Sequence, residues 1–332
     1  MPFPLLRLPF VALTEVIKNF ETRQLFTISL CSKQMYLVVK HLRAKSVQLK
    51  VLMRSVENIT FIRVWTEDDW NMIMELRIIG RKEPQLEGWT VQRYPESAFR
   101  EESVALISYW KELKEGTRRL LEDMCDLFDA KVEKVFVEQS DLWILDVAEA
   151  VQGPSTYQAH CEKVLTYDQY RHLVVNLNPS SLFILSEPLE RCPLLSFEKM
   201  YEHLFVTRGW LSWQNMLTVN CDRLTVTRGK FPVDMINGFL RHVLINGGAD
   251  RLTEFRAGVE NHNENGILQG IRGVLAPIPG KRQFENKYYL WEFNGIFERG
   301  DKSEFVFIKC TKRVGSIILL SVGQDKDFFR VE

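Results

Sequence analysis

From Pro9 onward the apolar positions fall at helical spacing. Leu13, Val16, Ile17 and Phe20 share one face with Ala12 beside them, and Pro9 suits a first helical turn. Thr22 predicts the start of a second helix whose apolar side is Leu25, Ile28 and Phe26. Ser32 predicts the cap of a third, with Met35, Val38, Val39 and Leu42 inward and Lys33, Lys40 and Arg43 outward. A helical unit of roughly 40 residues buries too small a fraction of its surface to stand alone. Its broad apolar faces therefore call for a partner.

The period changes from Ser46. Val47, Leu49 and Val51 alternate with polar residues, as do Ile59, Phe61 and the run 62–65, then Met72, Met74, Leu76 and Ile78, with Trp89–Val91 shorter. Alternation of period two between short polar stretches predicts antiparallel strands. The spacing then predicts one long helix over 103–128, interrupted only by Gly116, followed by strands at 132–137, 142–145 and 172–177. A helix is predicted over Val233–Leu244, ended by Gly247-Gly248. Three late runs, 288–297, 305–309 and 316–322, predict a β meander.

A repeat runs through the second half. His203-Leu-Phe-Val-Thr-Arg-Gly209 and Arg223-Leu-Thr-Val-Thr-Arg-Gly229 agree at five of seven positions, and Arg251-Leu-Thr-Glu-Phe-Arg-Ala-Gly258 is a looser third copy. One strand per interval of about 20–29 residues is the spacing of leucine-rich-repeat-like solenoids, whose units bury their apolar faces by stacking. A plain α/β sheet with shared Leu-x-Val strands fits the same residues. The fold class expected is α+β or α/β: three N-terminal helices, then a mixed α/β, partly leucine-rich-repeat-like body with antiparallel β meanders.

Composition narrows the function. The 332 residues are 45% hydrophobic and 26% charged, with 43 basic residues balancing 43 acidic ones. A duplex nucleic-acid binder normally carries a basic excess, so no nucleic-acid partner is expected. The six cysteines are sparse and never fall in a Cys-x-x-Cys pair, which predicts reduced thiols. No run reaches the length of a membrane span, and the apolar N-terminus lacks the basic flank and cleavage site of a signal peptide. The expected location is the cytoplasm, the nucleus or both. Gly-rich nucleotide loops, His-Glu-x-x-His and Gly-x-Ser-x-Gly are absent, as is any metal-ligand cysteine spacing. His160 and Cys161 are adjacent, but sequence neighbours do not face one another in regular structure. No catalytic residue, cofactor or metal is expected, and the chain is read as not an enzyme.

The run Phe3-Pro-Leu-Leu-x-Leu-Pro9, with Leu13, Val16-Ile17, Leu25, Ile28-Ser29 and Cys31-Ser32-Lys33, resembles an F-box. Phe10-Val11 stand where that family usually has an acidic residue, and Gln34-Met35 replace a common basic-plus-Trp pair. The resemblance implies docking on the Skp-type adaptor of a cullin–RING ubiquitin ligase. It implies as adaptor-binding residues Leu8, Pro9, Leu13, Val16, Ile17, Leu25 and Ile28, with Ser29, Ser32 and Lys33 as a polar rim. The stretch 222–260, with Asn237-Gly-Phe-Leu-Arg-His242 and Gly247-Gly248 before Leu252, is similar to the type 2 F-box-associated region of a large nematode family, although Val243 stands where Trp is usual. The organisation implied is an F-box at 1–45 and an F-box-associated α/β domain at 46–332, repeat-like over about 171–260 and ending in the meander at 287–323. Such a chain is the substrate-recognition subunit of a Skp–cullin–F-box ligase and binds a protein target whose identity the residues do not give. A repeat-type interaction scaffold outside any ligase is the alternative reading.

Overall fold

The computed structural model of the chain describes residues 5–43, 48–66, 72–80, 89–91, 94–101, 105–138, 142–154, 156–186, 197, 199–207, 210–244, 249, 251–252, 254–259, 264–267, 269–270, 274–275, 282–285, 289–298 and 304–313. Two compact units form, Met1–Leu195 with Tyr201–Val206, and Ser196–Met200 with Thr207–Glu332. Among the described residues no helix is long and apolar enough to cross a membrane.

The first unit opens with a 3-10 turn (Leu5–Arg7) and helices α1 (Phe10–Lys18), α2 (Thr22–Cys31) and α3 (Lys33–Leu42). The Ser32 hydroxyl caps α3 by accepting the Met35 N–H at 3.1 Å, as its position predicts. The cap residue of α2 is Glu21, one before the expected Thr22, and its N–H donates to Gln24 Oε1 at 3.0 Å. Strands β1 (Leu49–Val56), β2 (Ile59–Thr66) and β3 (Met72–Gly80) pair antiparallel, in the runs where alternation predicts them. Next come β4 (Trp89–Val91), β5 (Tyr94–Glu101), β6 (Ala105–Trp110), α4 (Leu113–Phe128), β7 (Lys131–Val137), α5 (Trp143–Gln152), β8 (Gln158–Cys161), α6 (Tyr167–Arg171), a π-helical turn (His172–Asn176), β9 (Ser181–Ile184) and β10 (Tyr201–Thr207). The sheet order is β4-β5-β6-β3-β2-β1-β7-β8-β9-β10. From β1 through β7, β8 and β9 to β10 every neighbour is parallel.

Three expectations are corrected here. The stretch 103–128 is not one helix, because Ala105–Trp110 is strand β6, buried at every position. It lies between β3 and β5, and a strand covered on both faces reads as an unbroken apolar run. Residues 142–145 begin helix α5, which stops at Gly153, where φ is +85° and glycine is the residue that takes it without strain. Residues 172–177 belong to the helical connection into β9, not to a strand. Thr166 and Gln169 cap α6, and Leu173 and Val174 turn into the core.

One face of this sheet lies under the helices. Val51, Met53, Ile62, Val64, Leu76, Ile78, Val135, Val137, Ala159, Leu182, Ile184, Leu204 and Val206 are all buried on it, and α4 and α5 pack against β2, β3, β6 and β7. At roughly 1.5–3 kcal/mol for each large apolar side chain, this layer dominates the stability of the unit.

The second unit contains α7 (Trp213–Leu217), β11 (Cys221–Phe231), α8 (Val233–Leu244), β12 (Glu254–Val259), α9 (Glu264–Ile267), β13 (Val274–Leu275), β14 (Arg282–Glu285), β15 (Tyr289–Glu298) and β16 (Glu304–Arg313). Its order is β13-β14-β15-β16-β12-β11, antiparallel except for the β11–β12 pair. Helix α8 has the bounds that its periodicity predicts. The runs 288–297 and 305–309 fall on β15, from Tyr289 onward, and on β16; residue 288, residues 316–322 and Gly247-Gly248 lie outside the described residues. Leu224 pairs with Phe255, so the third repeat copy is aligned three residues too early in the sequence comparison. Arg228, in the shared Thr-Arg-Gly ending, sits at φ +50° where β11 slips register against β12.

Candidate docking surfaces

The three N-terminal helices have an inner and an outer side. Inside lie Leu13, Ile17, Leu25, Phe26, Leu30, Met35 and Val39, with Ile17, Phe26, Leu30 and Val39 wholly buried. Ser29 is also fully buried, and its hydroxyl donates to the Phe26 carbonyl at 2.6 Å. Outside, Phe10 is 71% exposed and Val11 74%, joined by exposed Leu6 and Leu37. Of the residues implied as adaptor anchors, Pro9 and Lys33 are exposed and Leu8, Val16, Ile28 and Ser32 half-buried. Leu13, Ile17, Leu25 and Ser29 are spent on the chain's own interior. Phe10 and Val11, which the comparison with the family pattern marks only as departures, are the large apolar side chains that α1 holds out to solvent.

The helices are fastened to the sheet side by α4. The Phe26 and Phe128 rings approach to 6.4 Å between centroids, and the Arg43 guanidinium stands 5.9 Å from the Phe128 ring. On the rim of this contact Asp126 receives the Tyr36 hydroxyl and Lys40 Nζ, the latter at 2.5 Å. Burial would raise the Asp126 pKa, but those two donors and the Lys40 charge outweigh it and hold the carboxyl below its usual range.

The sheet face opposite the helices carries a second kind of surface. In register across β2, β1, β7, β8, β9 and β10 stand Phe61, Arg54, Phe136, His160, Phe183 and Phe205. His160 is stacked between Phe136 at 4.5 Å and Phe183 at 4.2 Å, and Phe183 continues to Phe205 at 5.8 Å. His203 meets Phe183 edge-on at 5.0 Å. Every one of these side chains is half-buried, whereas their neighbours on the helix side are closed off. In the next row Arg63 Nε donates to Glu75 at 2.7 Å, and Arg77 Nε donates to the same carboxylate at 2.6 Å. Burial pushes the Glu75 pKa up, and the two guanidiniums more than reverse it. Beyond β3 this face closes over buried Ile107 and Tyr109 on β6.

His160 and Cys161 point to opposite faces of β8, which separates them as a catalytic pair. Cys161 is fully buried, and burial pushes its thiol up to about 12. Burial, with the Lys134 and His203 charges adding to it, lowers His160 to about 4. Among the described residues no three His, Cys, Asp or Glu side chains gather as a metal set.

In the second unit Asn237 on α8 donates to the Ile267 and Gln269 carbonyls at 2.6 and 2.9 Å. Gly238 leaves room for the Trp213 ring, 3.1 Å from where a Cβ would lie, and Phe239 packs on Phe255 at 4.6 Å. The Asn-Gly-Phe-Leu run thus acts as a structural clamp on α8. Within the repeat copies, Arg256 pairs with Glu254 at 2.7 Å and Arg208 lies outside the described residues.

Compared with known protein families, residues 5–46 match the F-box domain. No curated protein and no solved structure matches the chain.

Proposed function

We propose that the chain is the substrate-recognition subunit of a Skp–cullin–F-box ubiquitin ligase, in which it performs no chemistry itself. The observation that carries this reading is the F-box match over 5–46 on helices whose first member exposes Phe10 and Val11. The adaptor would cover Leu6, Leu8, Pro9, Phe10 and Val11, while Leu13, Ile17 and Leu25 would hold these in place from within. Through that adaptor the chain would join a cullin–RING core. The α/β body would hold the protein target and raise the concentration of its lysines near the charged E2. The helical connections from β7 to β8 and from β8 to β9, and the parallel β11–β12 pair joined through α8 within 171–260, support a leucine-rich-repeat-like reading. The Asn237 clamp supports a type 2 F-box-associated region over 222–260. Work in such a ligase would place the chain in the cytoplasm, the nucleus or both.

The test is binding to a purified Skp-type adaptor. Phe10→Asp with Val11→Asp should weaken it by about two orders of magnitude or more, since interface anchors contribute about 2 kcal/mol each. Both positions face solvent, so the melting temperature should stay where it is. If the wild-type chain binds no adaptor, the scaffold reading replaces this one.

A further inference from the structure

The open face of the first unit's sheet is a surface that the F-box reading does not use. Its rings, Phe136, His160, Phe183 and Phe205, occupy one register line over four adjacent parallel strands. At about 4.8 Å between strands the line is about 14 Å long, the reach of four to five residues of extended chain at roughly 3.3 Å each. The opposite face already supplies the core, so these half-buried rings are not needed to close it. Among the described residues the same two rows hold Arg54, Arg63, Arg77 and Lys134 with Glu75 between Arg63 and Arg77, while at the strand end Glu138 reaches Arg54 at 2.5 Å and Glu162 also acts on it, which leaves the cations in slight excess. Arg63 also lies 5.8 Å from the Phe61 ring. Half-buried rings offer apolar contact with little rotamer entropy to lose, and the surrounding cations favour a carboxylate-bearing partner over a basic one.

We propose that this ring row is the seat of an extended target segment in which acidic residues alternate with large apolar ones. The segment lies across β7 to β10, its apolar side chains against Phe136, Phe183 and Phe205 and its carboxylates towards Lys134, Arg54 and Arg63. The proposal rests on the chain being a target receptor, and it names the chemistry of the target.

The experiment is a display selection of random dodecamer peptides on the full-length chain, repeated on Phe183→Ser/Phe205→Ser, on Lys134→Glu and on His160→Phe. The wild type should enrich peptides combining Asp or Glu with Phe, Leu or Ile. Their affinity, read by fluorescence anisotropy, should fall about tenfold or more in the Phe183→Ser/Phe205→Ser variant and stay within about twofold in His160→Phe, where a ring remains. Lys134→Glu should shift the selected set away from acidic residues. Circular dichroism and adaptor binding check that each variant is folded. An empty selection, a basic set, or a set indifferent to the two serines overturns the proposal. So does an empty selection accompanied by self-association that the serines abolish, which would assign the face to a second copy. Adaptor binding is read separately: its absence with the selection intact removes the ligase reading alone, and the reverse removes the face alone.

Discussion

His160 stands on a half-buried face between two phenyl rings, and among the described residues nothing partners its Nε2. The consequence is a pH dependence of stability. An unfolded imidazole titrates near 6.5, and this one near 4. Between those values the unfolded chain takes up a proton that the folded chain refuses, so acidification favours unfolding. The contribution is complete above 6.5 and is lost as pH falls through 4. Lys134 on β7 and His203 on β10 are the charged groups that act on this ring, and both push in the same direction. Thermal melts from pH 7 to pH 4.5 should show a smaller loss for His160→Phe than for the wild type. Equal losses would mean that the ring is protonated in the fold. At this scale the face is legible in the sequence: rings 136, 160, 183 and 205 are each flanked by small or branched apolar residues, at intervals of 24, 23 and 22 residues. The repeat between 203 and 223 stands out because identical letters recur there. The stronger geometric repeat is one of residue class, ring between two core-facing neighbours, which letter matching overlooks.

Among the elements, β6 and α4 are the instructive pair. Period-two alternation located β1 to β3, and the 3.6-residue spacing located α1 to α3 and α8, because each presents one face to a core and the other to water. Ala105–Trp110 has no water side, so its run could not be told from the helix that follows. Gly116 was the available sign. In the structure it lies beneath the Trp110 ring, whose nearest atom is 2.4 Å from where a Cβ would stand. Two effects oppose each other at that position. Alanine would improve helix propensity by about 1 kcal/mol, whereas overpacking against a rigid indole costs about 1–3 kcal/mol. The contact is far inside normal separation, so the clash should win. Urea denaturation of Gly116→Ala should show a net loss of about 1–2 kcal/mol, and adding Trp110→Leu should recover part of it. A gain in the single variant would mean that the indole has room to move.

On the scale of the whole molecule, the first compact unit contains both the F-box helices and the sheet through β10. Phe26 is fully buried and Phe128 nearly so, and the two meet across the junction of α2 and α4. Phe26→Ala should therefore cost about 3–5 kcal/mol. Helix and sheet probes should also melt together at the lowered temperature, as expected of one cooperative unit. Two separated transitions would argue against a shared interior. The Asp126 ion pair contributes little by comparison. Its partners are about half exposed, and such pairs are worth about 0–1 kcal/mol. It orients α3 on α4 more than it stabilises the fold.

The Phe26–Phe128 contact bears on how freely this chain's parts can be exchanged. The F-box match ends at residue 46, but the interior that the matched helices share continues to residue 128. Grafted onto a different body at that boundary, residues 5–46 would leave one side of α2 facing solvent. In this protein the recognisable motif is shorter than the piece that can be transplanted, and a working chimera would have to carry α4 with it.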